Sequence, residues 1–212
     1  RYHLRYGLKP VVMRSVPHFS HLEPSPVDAD HIRIVYHGGA SPGRTIETMI
    51  RAMDHVDRRF SLTLLLVPAG HPGYLNKLRR MAGRRENVFV EPPVRSTDLV
   101  RLTNKYDIGL AFYAPTSVNV KHALPNKFFE YVQSRLAVVT GPSPEMSTLV
   151  ERYGFGAVSD TFSTRDLAET LNRLDAGTIH EYKMASDAVA PQLCLEREKQ
   201  VLFDVVDEIH VS

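Results

Sequence analysis

The chain has 212 residues, 43% hydrophobic and 24% charged, with a formal net charge of +2. That length holds one sizeable core, as an α/β domain does, and so small a net charge gives no reason to expect a nucleic-acid partner. One cysteine, Cys194, excludes an intramolecular disulfide framework and fits a reducing, cytoplasmic setting, and no apolar run approaches the roughly 20 residues of a membrane span.

The chain opens on Arg1 with no signal peptide, so we expect a piece of a longer protein. Residues 1–31 read as a lead-in segment and a linker, the latter in "PHFSHLEPSPVDADH" (17–31), rich in Pro, His and Asp. From there short apolar runs alternate with helical patterns. Strands are expected at 32–38, 62–70, 88–91, 108–113, 137–141 and 156–160, most of them continuous in Val, Ile and Leu, as strands covered on both faces are. Helices are expected at 45–56, 73–83, 96–106, 126–136 and 143–154, with apolar residues three and four apart. Ser96 and the pair Ser143–Pro144 mark helix starts, and Gly83 and Gly154 mark stops. Residues 178–212 read as one or two helices broken near Pro191 that pack back on the domain, leaving 32–177 as its body. The alternation predicts an α/β fold: a doubly wound, parallel, six-stranded Rossmann-like sheet with helices on both faces.

In such a sheet ligands bind at the carboxyl ends of the strands where the order reverses, here between the first and fourth strands if the order is 3-2-1-4-5-6. Two loops leave that crevice: "HGGASPGRT" (37–45) and "YAPTSVNVKHALPNK" (113–127). Gly38, Gly39 and Gly43 let backbone approach a ligand, Arg44 stands on their far side, and Asn126 and Lys127 open the helix opposite. Free N–H groups and the positive dipole end of that helix favour an anion. A carboxylate one turn on, Glu130, suits a vicinal diol, because each oxygen accepts one hydroxyl proton. Diphosphate plus ribose diol is a nucleotide, whose base is expected at backbone groups near Pro93 and Val94 in "EPPVRSTDL" (91–99).

Each of these residues also has a plainer reading. Lys127 and Glu130 could be an exposed i,i+3 pair. The glycines could serve a tight turn, and their spacing is not Gly-x-Gly-x-x-Gly. Arg44 could lie on a helix surface, and His122 reads first as a loop residue and second, from its position near the sugar, as a catalytic base or sugar-binding group. His18 and His21 have a ligand-like gap but no further partners, so no metal is expected. Arg79, Arg80, Arg84 and Arg85 read first as a solvated helix face, and second as a contact with anionic lipid at the inner face of the membrane. Phe128, Phe129 and Val132 are core.

The stretch "LPNKFFEYVQSRLAVVTGPSPEMSTLVERYGFG" (124–156) resembles the nucleotide-sugar-binding half of GT-B glycosyltransferases of the large glycogen-synthase-like family, with its Pro-x-Lys-x-x-Glu segment, Val-Val strand and Pro-Glu helix start. "VYHGGASPGRTIETMIRAM" (35–53) is similar to the loop opening that domain, with a basic residue six positions after the glycine. "LCLEREKQVLFDVVDEI" (193–209) and "YGLKPVVMRSVP" (6–17) resemble its last helix and its lead-in, so the likeness spans nearly the whole chain. It implies that Glu130 holds the ribose hydroxyls and Arg44 the diphosphate. Two positions depart from the family pattern: His122 stands where many members have a first glutamate, and Gly39 where many have an arginine. A branch with only the second glutamate and Pro-Asn-Lys is the better match.

The resemblance implies the donor-binding domain of a glycosyltransferase, moving a sugar from a nucleoside-diphosphate sugar to a hydroxyl acceptor in polysaccharide or glycolipid biosynthesis. Arg44, Lys127 and Glu130 would be its catalytic set, stabilising charge on the leaving diphosphate without a metal or other cofactor. The acceptor side would lie in a missing N-terminal domain, and this piece alone would be inactive. An isomerase half of the nucleotide-sugar 2-epimerase type and a non-catalytic module stay open.

Overall fold

The computed structural model describes residues 6–7, 11–70 and 73–211, with side chains through 207. Six strands, β1 (Ile32–Ala40), β2 (Phe60–Pro68), β3 (Val88–Glu91), β4 (Ile108–Ala111), β5 (Ala137–Thr140) and β6 (Gly156–Val158), form one sheet in the order β3-β2-β1-β4-β5-β6. Every pairing is parallel. Between and after them run α1 (Ile46–Ala52), α2 (Tyr74–Ala82), α3 (Ser96–Thr103), α4 (Val118–Lys121), α5 (Asn126–Gln133), α6 (Pro144–Tyr153), α7 (Thr164–Asn172) and α8 (Ala176–Val189). A 3₁₀ turn at Ala190–Gln192 then leads into α9 (Leu195–Val211).

Both faces of the sheet are covered, which is why its strands read as unbroken apolar runs. Ile34 and Tyr36 of β1 point into one core with Ile50 of α1, Leu78 of α2 and Leu171 of α7. Val35 between them points into the other, with Phe128 and Phe129 of α5 and Met146 of α6. At the amino ends of the strands, Lys183 of α8 is fully buried and donates to the Ser25 hydroxyl (2.8 Å) and the Tyr106 carbonyl (2.9 Å). Its ammonium lies 3.4 Å from buried Asp107, which also accepts the Arg33 N–H at 2.7 Å.

Several expected boundaries move. Ser96 does not cap α3: Arg95 occupies the N-cap with extended backbone, and the Asp98 N–H donates to its carbonyl, so Ser96 is already helical. Ser143 does precede Pro144 at the start of α6, but its hydroxyl donates to the Lys121 carbonyl and not to the helix. Gly154 ends α6 in the left-handed region at φ 67°, while Gly83 ends α2 with ordinary right-handed backbone. β2 runs from Phe60 and stops at Pro68, β4 stops at Ala111, and α1 stops at Ala52, short of the helix expected to Val56. α4 and α7 were not expected at all. α7 starts where the Ser163 hydroxyl accepts the Asp166 N–H, a capping arrangement the sequence pattern Ser-x-x-Asp encodes.

Candidate functional site

The site begins with an interrupted ladder. β1 pairs with β2 along its whole length, yet it pairs with β4 only at Ile34–Ile108 and Val35–Gly109. N–H groups along a strand alternate sides: Ile32 donates toward β2 at Arg59, and Arg33 donates toward Asp107 beside β4. The His37 N–H therefore faces the β4 side after the pairing has stopped. The hydroxyl of Tyr131, reaching down from α5, accepts it at 3.3 Å. Gly109 makes that reach possible, since a Cβ there would lie 2.3 Å from the Tyr131 ring.

Two loops meet above this opening. Thr45, held in the left-handed region at φ 56°, donates its hydroxyl to the Phe112 carbonyl (2.9 Å) and accepts the Ala114 N–H (3.3 Å). This couples the glycine loop after β1 to the loop after β4. Across from them α5 starts at Pro125 without a side-chain cap, so its first N–H groups and dipole end stay available to an anion.

Lys127, in the first turn of α5, turns its ammonium back over β1. The Nζ stands 3.7 Å from the centroid of the Tyr36 ring and 5.2 Å from that of Tyr113, a cation held on aromatic faces. Gly38, at φ +136°, leaves the room: a Cβ there would sit 2.7 Å from this Nζ. Burial, and then the Arg44 charge, hold the Lys127 ammonium well below the usual lysine range. Glu130, one turn further, lies with Oε2 3.4 Å from His37 Nε2. Burial pushes its carboxyl up while Lys127 pulls it back. Burial, and then Lys127, bring the His37 imidazole down to about 3, so it is neutral at physiological pH.

Among the described residues, five buried side-chain polar atoms have no hydrogen-bond partner: Tyr36 OH, His37 Nε2, Arg59 Nε, Tyr113 OH and His122 Nε2. Three of them, on Tyr36, His37 and Tyr113, surround Lys127 and Glu130. Buried polar groups without partners are costly, about 1–3 kcal/mol each, and rare enough that three of them around one pair of charges mark a candidate site.

The structure thus brings Gly38, Lys127 and Glu130 together. Arg44 is exposed, with its guanidinium 5.8 Å above the Tyr113 ring on the rim of the same group. Gly39 packs toward Ala69, where a Cβ would be 3.1 Å from the alanine methyl, and Gly43 turns at φ +84° in open space. Asn126 is exposed at the start of α5. Val94 packs against the cluster containing Tyr113 and Phe129, and Pro93 beside it is exposed. His122 stands apart, its Nδ1 3.3 Å from Glu145 at the start of α6, and among the described residues no hydrogen bond or ion pair joins it to Lys127 or Glu130. Those residues contain no group of three or more metal-ligating side chains, and His18 pairs with Glu196 at 2.7 Å. Arg79, Arg80 and Arg84 are exposed on and just beyond α2, whereas Arg85 is bound to Asp54 and the Met81 carbonyl. Tyr36, His37, Tyr113 and Tyr131 did not emerge from the sequence. The one signal for Tyr36 and His37 was a polar pair, "YH", after an apolar run and directly before the glycines.

No protein-family model matches this chain, and no curated protein does. Solved structures do. HepE of Anabaena in complex with UDP-glucose superposes with a TM-score of 0.69 at 16% identity, covering 84% of this chain and 50% of HepE. A glycosyltransferase from Rickettsia africae gives 0.68 at 12% identity over 86% of this chain and 48% of that one. A UDP-forming α,α-trehalose-phosphate synthase from Burkholderia vietnamiensis gives 0.65 at 10% identity over 85% and 46%. The chain spans about half the length of each. It has the fold of one half of a GT-B glycosyltransferase, a single Rossmann-like domain.

Proposed function

We propose that this domain binds the donor of a glycosyl transfer, a nucleoside-diphosphate sugar, in the crevice between β1 and β4. The observation that carries the reading is the Lys127 ammonium, set over Gly38 at the uncapped start of α5. A diphosphate there meets the ammonium, the helix N–H groups and, from the rim, Arg44. These charges stabilise the negative charge growing on the leaving diphosphate, and the reading needs no resident metal. Glu130, 22% exposed at its side chain, takes the ribose diol. The turn at Pro93 and Val94 reads the base through backbone groups. That HepE was solved with UDP-glucose supports the assignment.

The acceptor hydroxyl, on a growing polysaccharide or a glycolipid, is supplied across a cleft from a second domain. The exposed arginines of the α2 region would meet anionic lipid when that acceptor is membrane-borne. Titration of the chain with UDP, GDP and dTDP tests the core of the proposal. Saturable binding of one of them, weakened by Lys127→Ala, is expected. Binding of none makes the chain a non-catalytic module, and turnover of a sugar nucleotide without any acceptor makes it an isomerase half.

A further inference from the structure

His37 is held in place from three sides. It belongs to β1, its backbone N–H donates to the Tyr131 hydroxyl at 3.3 Å, and its ring packs edge-on against the Tyr131 ring with centroids 4.9 Å apart. Only 6% of it is exposed, so a ligand in the crevice cannot take it as a direct partner. Its Nε2 is nonetheless buried without a hydrogen bond, and faces Glu130 Oε2 across 3.4 Å. Glu130 has two sides, one against this imidazole and one toward solvent. A carboxylate offers about four lone-pair sites, so an imidazole N–H on one oxygen leaves the rest free for two hydroxyls.

We infer that His37 is a positioning residue for ribose recognition: its Nε2–H fixes the Glu130 carboxylate so that the open lone pairs point at the diol. The inference rests on the nucleotide-binding reading of Glu130. The chemistry favours histidine for this task. A lysine or arginine at the same place would neutralise the carboxylate and compete with the ligand for it. A neutral imidazole orients the carboxylate and leaves its charge intact. Lys127, the other charge near Glu130, is occupied by the tyrosine faces and the glycine loop.

Calorimetric titrations with UDP or GDP, whichever binds more tightly, and with its 2′,3′-dideoxy counterpart, test this. The ratio of the two affinities is the readout, because support of the fold alone moves both equally. His37→Leu and His37→Asn, whose amide is too short to reach Glu130, are expected to lower the ratio about 10-fold. His37→Gln, whose amide nitrogen takes the place of Nε2, keeps the ratio. In a Glu130→Gln background His37→Leu changes the ratio no further. Should His37→Leu not fold, the Gln and Asn variants decide. An unchanged ratio in folded His37→Asn, equal losses for both nucleotides, or a wild type indifferent to the diol overturns the positioning role while leaving nucleotide binding standing. A wild type that binds dTDP but neither ribonucleotide also overturns it. Binding of no nucleotide removes the underlying reading itself.

Discussion

Replacing Gly38 with alanine separates the stability of the glycine loop from its function. The new Cβ would stand 2.7 Å from Lys127 Nζ and 3.4 Å from its Cε, on backbone at φ +136°. The steric part costs little folding energy, because the crowded atoms are the free end of a flexible side chain. The backbone part does cost: an L side chain in so rarely populated a conformation is strained by about 1–3 kcal/mol. For a domain of this size that lowers Tm by roughly 2–12 °C. Function suffers for the opposite reason. The displaced ammonium is the group meant for the diphosphate, and losing a charge-assisted hydrogen bond of about 1.5–3 kcal/mol weakens a nucleoside diphosphate roughly 10- to 100-fold. Gly43→Ala is the control, since Gly43 has φ +84° and nothing within 4 Å of the added methyl. It should show the strain without the loss of affinity. Calorimetry and thermal melts on the two variants give both numbers, with the parent nucleoside as a second ligand that should bind all three proteins alike. If Gly38→Ala keeps wild-type diphosphate affinity, the Lys127 ammonium is not the diphosphate's seat.

Glu130→Gln should weaken nucleoside and nucleotide alike by about 10- to 100-fold with little change in Tm, whereas Lys127→Ala should weaken only the phosphorylated ligand; titrations of both variants with both ligands distinguish them. Because burial and Arg44 depress the Lys127 pKa in the folded state, its ammonium destabilises the empty domain most below that folded value, and the penalty fades as pH rises to lysine's unfolded pKa. Lys127→Met should therefore raise Tm most at acid pH, below the folded pKa, and progressively less as pH rises toward lysine's ordinary range, and melts across pH read that trend. Affinity of the wild type for a diphosphate should fall as pH rises through the Lys127 titration, and this fall should vanish in Lys127→Met. Lys183→Met should cost about 1–3 kcal/mol in urea unfolding, since the Tyr106 carbonyl and one side of buried Asp107 lose a donor while the Arg33 guanidinium, 3.3 Å from the carboxylate, stays, and should leave nucleotide affinity unchanged.

The sheet itself was legible residue by residue. "IRIVYHG" and "LTLLLV" announce strands covered on both faces, and the regular alternation with helices sets a parallel sheet whose order follows from the doubly wound pattern. The position of Lys127 and Glu130 beside the switch point follows from the same pattern. α7 was missed although Ser163 and Asp166 spell a helix start, because in its nine residues only Leu167, Ala168 and Leu171 supply an apolar face. Ser96 was misplaced because a serine before an apolar run looks alike at the N-cap and at the first helical position, and only the backbone of Arg95 tells them apart.

What sequence could not decide was where the charged ends point. Lys127 and Glu130 are three residues apart on one helix, a spacing that suits an exposed ion pair. In the folded chain they part: the lysine turns to Tyr36, Tyr113 and Gly38, and the glutamate faces His37. Periodicity depends on neighbours along the chain, and so it is written in local order. The partners of these side chains come from β1, about 90 positions away, and from the loop after β4. They meet only because β1 and β4 separate beyond Val35 and a tyrosine fills the gap over Gly109. Nothing in a linear pattern encodes that separation. It arises from tertiary packing, where burial and close contact decide which polar atoms find partners inside the protein and which are left facing the crevice.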